Sequence, residues 1–112
     1  MNFPADQIDE LKKIYPSIQV AEEGGTTFFY IPQMQLPIGC EPNKLDVLFC
    51  PTQHNGYASR LYFEQQFSGG PSRNWNGQYR LLDKTWHAIS WNINQNQRLI
   101  QMIRSHLDAF RT

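Results

Sequence analysis

Between Ile18 and Phe63 the chain is made of short runs of β-branched and aromatic residues separated by turn-forming ones, a rhythm that commits it to an antiparallel sheet. "IQVAEEGG" and "TTFFYIPQMQLP" flank Glu22, Glu23, Gly24 and Gly25, the chemistry of a hairpin turn, and predict two strands. In "KLDVLFCP", Leu45, Val47 and Phe49 alternate with Asp46, Leu48 and Cys50, and in "RLYFEQQF" Leu61 and Phe63 share one face opposite Tyr62. These are a third and a fourth strand.

Helices bracket the strands. Ile8, Leu11 and Tyr15 recur at helical spacing after Pro4, and Pro16 stops that helix at Tyr15. Near the other end Ile100, Ile103, Leu107 and Phe110 form one stripe, with Arg98, Arg104 and Arg111 left for solvent and Asn94 or Asn96 available as the cap. Between the fourth strand and this helix, "SGGPSRNWNGQYR" is rich in Gly, Ser, Pro and Asn, and reads as a long irregular loop anchored by Trp75 and Tyr79. The expected fold is α+β: an N-terminal helix, a four-stranded antiparallel meander, a long irregular segment passing over a sheet edge, and a C-terminal helix.

A chain of 112 residues has the size of one compact domain, and residues 1–112 are read as a single unit. Ten basic and ten acidic residues give a formal charge of zero, with the bases scattered, so neither nucleic acid nor a membrane surface has an electrostatic footprint. "MNFPADQIDE" carries acids and a proline where a secretory leader has bases and an apolar run, which makes a cytoplasmic protein the expectation. Cys40 and Cys50 are the only cysteines and are read as inert core thiols. His54, His87 and His106 stand far apart, with no metal-ligand spacing, no phosphate-binding glycine loop and no G-x-S-x-G elbow, so neither a metal nor a cofactor is expected.

The chemistry concentrates in "TWHAISWNIN", residues 85 to 94, where Trp86, His87, Ser90, Trp91 and Asn92 fall together. A serine hydroxyl needs a base within hydrogen-bond reach to act as a nucleophile. His87 is the nearest in sequence, yet in an extended chain residues 87 and 90 point to opposite faces, so a turn or a base from a partner is required. The bland alternative for Ser90 is a serine bonded to nearby backbone, and for Trp86 and Trp91 it is core packing.

The order of elements resembles the ubiquitin-conjugating (UBC, E2) fold, and "LPIGCEPNKLDVLFCP…GYASRLYF" looks like its central passage, with Pro51, Tyr57 and Phe63 in the characteristic places. Leu36-Pro37, Gly39, Asp46, Leu48, Pro51, Tyr57, Trp86 and Ser90 together resemble a bacterial group of E2-like proteins, prokaryotic E2 family E. That resemblance implies an E2-like transferase in a ubiquitin-like protein conjugation pathway, with an E1-like activating enzyme, the ubiquitin-like protein and a JAB-type protease as partners, in operons that look like antiphage or stress systems. No cysteine follows Cys50, where an E2 carries its catalytic thiol, and Trp91-Asn92 replaces the Arg-His that follows the serine in the family. His54-Asn55 mimics two letters of the E2 His-Pro-Asn triplet, but precedes Tyr57 and falls in the turn between strands three and four. The resemblance thus implies Ser90 as an acyl carrier forming an oxyester, with His87 or Asn92 assisting and Trp75, Trp86 and Trp91 as a binding frame. It equally admits a non-catalytic variant that scaffolds the pathway, and a third reading is a small interaction domain outside ubiquitin-like chemistry.

Overall fold

The computed structural model describes residues 3–52, 56–69, 74–94 and 96–111. Helix α1 spans Ala5–Ile14, followed by strands β1 (Gln19–Glu23), β2 (Thr26–Gln35), β3 (Lys44–Cys50), β4 (Arg60–Phe63), β5 (Trp75–Leu81) and β6 (Lys84–Ile89), then helix α2 (Leu99–Leu107) and a 3-10 turn over Asp108–Phe110. All six strands join one antiparallel sheet in the order β1-β2-β3-β4-β6-β5.

The first helix and the first hairpin stand where local chemistry puts them. Pro4 precedes α1, Lys12 and Lys13 sit in its last turn where the helix dipole favours cations, and Pro16 ends it. Gly24 and Gly25 turn β1 into β2 at φ 58° and 80°, a left-handed conformation that a Cβ would oppose.

The expected UBC architecture is overturned. β1 to β4 do follow one another, but the segment read as a long loop holds a second hairpin, β5–β6, which pairs with β4 through Phe63 and His87 and makes the sheet six-stranded and curled. A six-stranded half-barrel with two helices is not the four-stranded meander of an E2. The hairpin turns at Leu82 and Asp83, both left-handed at φ 50° and 62°, with no glycine to announce it.

Period-2 alternation gives the sheet two apolar faces. Phe29, Ile31, Val47, Phe49, Leu61, Phe63 and Ile89 meet Leu11, Ile100, Ile103 and Phe110 of the helical layer. The opposite face gathers Phe28, Leu48, Cys50, Tyr62, Trp86 and Ala88, each buried, with Tyr30 and Tyr79 packed against them. That second face is the inside of the curl. Tyr30 on β2 and Trp86 on β6, with β3 and β4 between them in the sheet, stand edge to face at 6.0 Å between ring centroids. At the rim, the Glu23 carboxylate accepts a hydrogen bond from Leu82 N, at 3.3 Å to each oxygen. Each such buried side chain contributes ~1.5–3 kcal/mol relative to exposure, so closing the curl over Phe28, Tyr62 and Trp86 gives the sheet a second core without a second layer of helices.

One irregularity keeps the helix-facing core continuous. Ile31 and Met34 would fall on opposite faces by strict alternation, yet both are buried in the same cluster. A bulge between them makes up the difference, with Gln33 at φ 52°. Asp46 on β3 holds that bulge, accepting from Gln33 N at 2.9 Å, from Gln33 Nε2 at 3.1 Å and from Tyr30 Oη at 2.6 Å.

The two helices are tied across the length of the chain. Gln7 Oε1 of α1 accepts from Leu99 N, one of the unpaired donors opening α2, at 2.9 Å. Arg98 is paired with Asp6 and Glu10. The cap read at Asn94 or Asn96 lies instead at Arg98, whose backbone N–H donates to Gln101 Oε1.

Candidate functional site

Ser90 follows the last residue of β6 and lies opposite the start of β5. Its amide donates to Asn74 O at 2.9 Å, and its Oγ accepts from Asn74 Nδ2 at 3.2 Å. The side chain is half-buried. A hydroxyl that accepts an amide hydrogen bond is oriented, not activated, because activation needs a base to take its proton.

His87 does not supply that base. β6 is extended through residue 89, so His87 shares its face with Ile89 and stands across from Phe63 on β4 and Gln78 on β5. Its Nδ1 is buried without a hydrogen-bond partner. Among the described residues no hydrogen bond joins it to Ser90. Asn92 is exposed beyond the strand end, two residues from Ser90. His54 and Asn55 lie outside the described residues.

The three tryptophans go three ways rather than framing Ser90. Trp86 points into the curl, fully buried, and donates from Nε1 to Leu81 O at 2.9 Å. Trp91 is half-buried against the helix-facing core and donates from Nε1 to Ser105 O on α2 at 3.1 Å. Trp75 packs with Phe63, Phe67 and Phe110 at centroid distances of 5.8, 5.2 and 6.2 Å, pinning the start of β5 to the C-terminal turn. The structure therefore brings Ser90, Trp91 and Asn92 to one strand end and sends Trp86 and His87 elsewhere.

Both thiols are core residues. Cys50 is fully buried with its Sγ directed at Thr52 O, 3.3 Å away, and Cys40 is 1% exposed. Burial pushes both thiols up from their ordinary range, which keeps them protonated and unreactive. Among the described residues no three of His, Cys, Asp and Glu are grouped to hold a metal ion.

A second serine and histidine meet where no motif announces them. Ser59 Oγ lies 3.0 Å from His106 Nε2, both residues buried, and Ser59 Oγ donates its one proton to Cys50 O at 2.9 Å. His106 Nε2 must then carry a hydrogen and donate to Ser59, the reverse of what a general base does. Burial first, and the neighbouring Arg60 charge second, hold the His106 imidazole down at about 4. This pair fastens α2 to the residue that leads into β4. The only forewarning in sequence is a histidine one position before Leu107 on an apolar stripe.

Arg60 is a charged group in the interior, 1% exposed. Its guanidinium lies 4.0 Å from the Tyr57 ring centroid, 5.1 Å from that of Tyr79 and 5.8 Å from that of Tyr62. It donates to Tyr79 Oη at 3.0 Å and to Ile89 O at 3.3 Å. Between β4, β6 and α2 a cleft of about 10 Å³, partly open to solvent, is lined by Arg60 with Leu61, Phe63, Ile89, Trp91, His106 and Phe110. Among the described residues no helix is long and apolar enough to cross a membrane. Compared with protein families, curated proteins and solved structures, the chain gives no match in any of the three.

Proposed function

We propose that this protein works by binding another protein and forms no covalent intermediate of its own. The observation that carries this reading is the state of the three candidate nucleophiles: Cys40 and Cys50 are buried with raised thiols, and Ser90 is bonded to Asn74 with His87 committed to another face. Acyl transfer asks for a nucleophile, a base and a site for the reacting carbonyl within about 3 Å of one another. Ser90 has the exposure for the first role and lacks the second. A binding domain asks only for a rigid scaffold with a usable surface, and two packed cores on one sheet supply the scaffold.

The partners to try first are those the sequence resemblance implied, a ubiquitin-like protein and an E1-like enzyme. The chain is mixed with both, with ATP, and run on a denaturing gel and in parallel on a gel-filtration column. A non-covalent complex on the column with no adduct on the gel is the expected outcome. A base-labile, reductant-resistant adduct that disappears in Ser90→Ala would overturn the binding reading in favour of a serine carrier.

A further inference from the structure

β1 is a sheet edge whose outer side pairs with no strand among the described residues. Natural edges are blunted by bulges, prolines, short strands or charged side chains, lysine above all. β5, the opposite edge, follows that rule: its register with β6 shifts between Trp75 and Gln78, around Gly77 at φ 107°. β1 has no bulge, proline or lysine, carries its charge at Glu22 and Glu23 alone, and pairs with β2 in unbroken register from Gln19 to Glu23. It also ends an apolar row. Leu61, Phe49, Phe29 and Val20 are successive cross-strand partners, the first three 3%, 0% and 1% exposed and Val20 54% exposed.

Resting on the binding role proposed above, we propose that β1 is the docking edge for an extended segment of a partner protein. The segment pairs antiparallel with Gln19–Glu23, sets an aliphatic side chain opposite Val20 and sets a Lys or Arg opposite Glu22. Added strands gain affinity from main-chain bonds and specificity from alternate side chains. Val20 and Glu22 are two residues apart, so they project from one face, and an aliphatic neighbour would extend the row Leu61–Phe49–Phe29–Val20 by one member. Glu22 supplies the charge. Its carboxylate is exposed, accepts one long bond from Thr27 Oγ1 at 3.4 Å, and takes part in no ion pair among the described residues. Antiparallel pairing then fixes the order in the partner: basic residue, any residue, aliphatic residue. A second copy of this chain fits less well, because the register centred on Ala21 sets Val20 against Glu22 and leaves both acids without a counter-charge.

The probe is the capped peptide Ser-Thr-Lys-Thr-Val-Thr-Ser, titrated into the isotope-labelled full chain and followed by amide shifts and hydrogen exchange. The expected result is perturbation and slowed exchange confined to Gln19–Glu23, about tenfold weaker binding when the peptide lysine is replaced by glutamate, loss in Val20→Lys and retention in Val20→Ile. Three outcomes overturn the proposal: no perturbation up to millimolar peptide, equal binding of the glutamate peptide, or concentration-dependent shifts at β1 without peptide, which would assign the edge to a second copy. Failure here with a complex still seen on the gel-filtration column would sink the edge and leave the binding role standing.

Discussion

His106 Nε2 and Ser59 Oγ, 3.0 Å apart and both buried, join the last helix to the residue that leads into the fourth strand through a hydrogen bond in which the histidine is the donor. Burial and the charge of Arg60 keep the folded imidazole neutral down to about 4, against 6.5 for an ordinary histidine. Between those values the unfolded chain binds a proton that the folded chain refuses. Stability from this group is therefore complete above about pH 6.5 and is lost as pH falls towards 4, a total of about 3 kcal/mol. Urea denaturation of His106→Gln, which keeps a donor for Ser59 and cannot titrate, should show a clearly flatter decline than wild type over that window. Parallel curves would refute the assignment.

The two cysteines should behave as interior groups. A thiol reagent at neutral pH is expected to modify Cys40 and Cys50 at least ~100-fold more slowly in the native protein than in denaturant, since reaction waits on opening. Rapid stoichiometric modification of either would show that the thiol is accessible.

Trp86→Ala should cost ~3–5 kcal/mol, because it empties the largest fully buried side chain from a curl that cannot collapse around the gap. Ser90→Ala should stay within ~1 kcal/mol of wild type, the scale of one half-exposed hydrogen bond to Asn74. Equal denaturation midpoints for the two variants would contradict the placement of Trp86.

Asp46→Ala removes the acceptor of Tyr30 Oη and Gln33 N together, and a loss of ~1–3 kcal/mol is expected. Partial burial opposes ionisation of Asp46, yet the bonds from Tyr30 and Gln33 outweigh it and hold the carboxyl below its usual range. Its contribution is then present above the unfolded value of 3.8 and lost as pH falls below it. Amide exchange at Gln33 should accelerate in the variant, and an unchanged rate there would mean that the bulge holds itself.

Sequence reading reached the parts of the fold that neighbours in the chain decide. Pro4 and Pro16 delimit α1, and Gly24-Gly25 folds β1 onto β2, in each case through residues a few positions apart. It failed at β5–β6 because the turn is made by Leu82, a residue type that seldom accepts positive φ, and Asp83, while the glycines and asparagines that advertise turns lie upstream. Without that hairpin the chain fits a four-stranded plan, and Trp86 sits beside Ser90 on paper. With it, Trp86 belongs to an interior created by sheet curvature, a property of six strands together. The candidate site suffered in the same way. That Ser90 would find Asn74, and His106 Ser59, follows from pairings 16 and 47 residues apart that no local pattern encodes.

The bond from Leu99 N to Gln7 Oε1 spans 92 residues. During synthesis Gln7 leaves the ribosome 92 residues ahead of Leu99, so α1 emerges with its apolar side, including Leu11, before the helix that packs on it exists. Native structure around the two helices can close only once α2 is free of the exit tunnel. Until then the apolar side of α1 lacks its native cover.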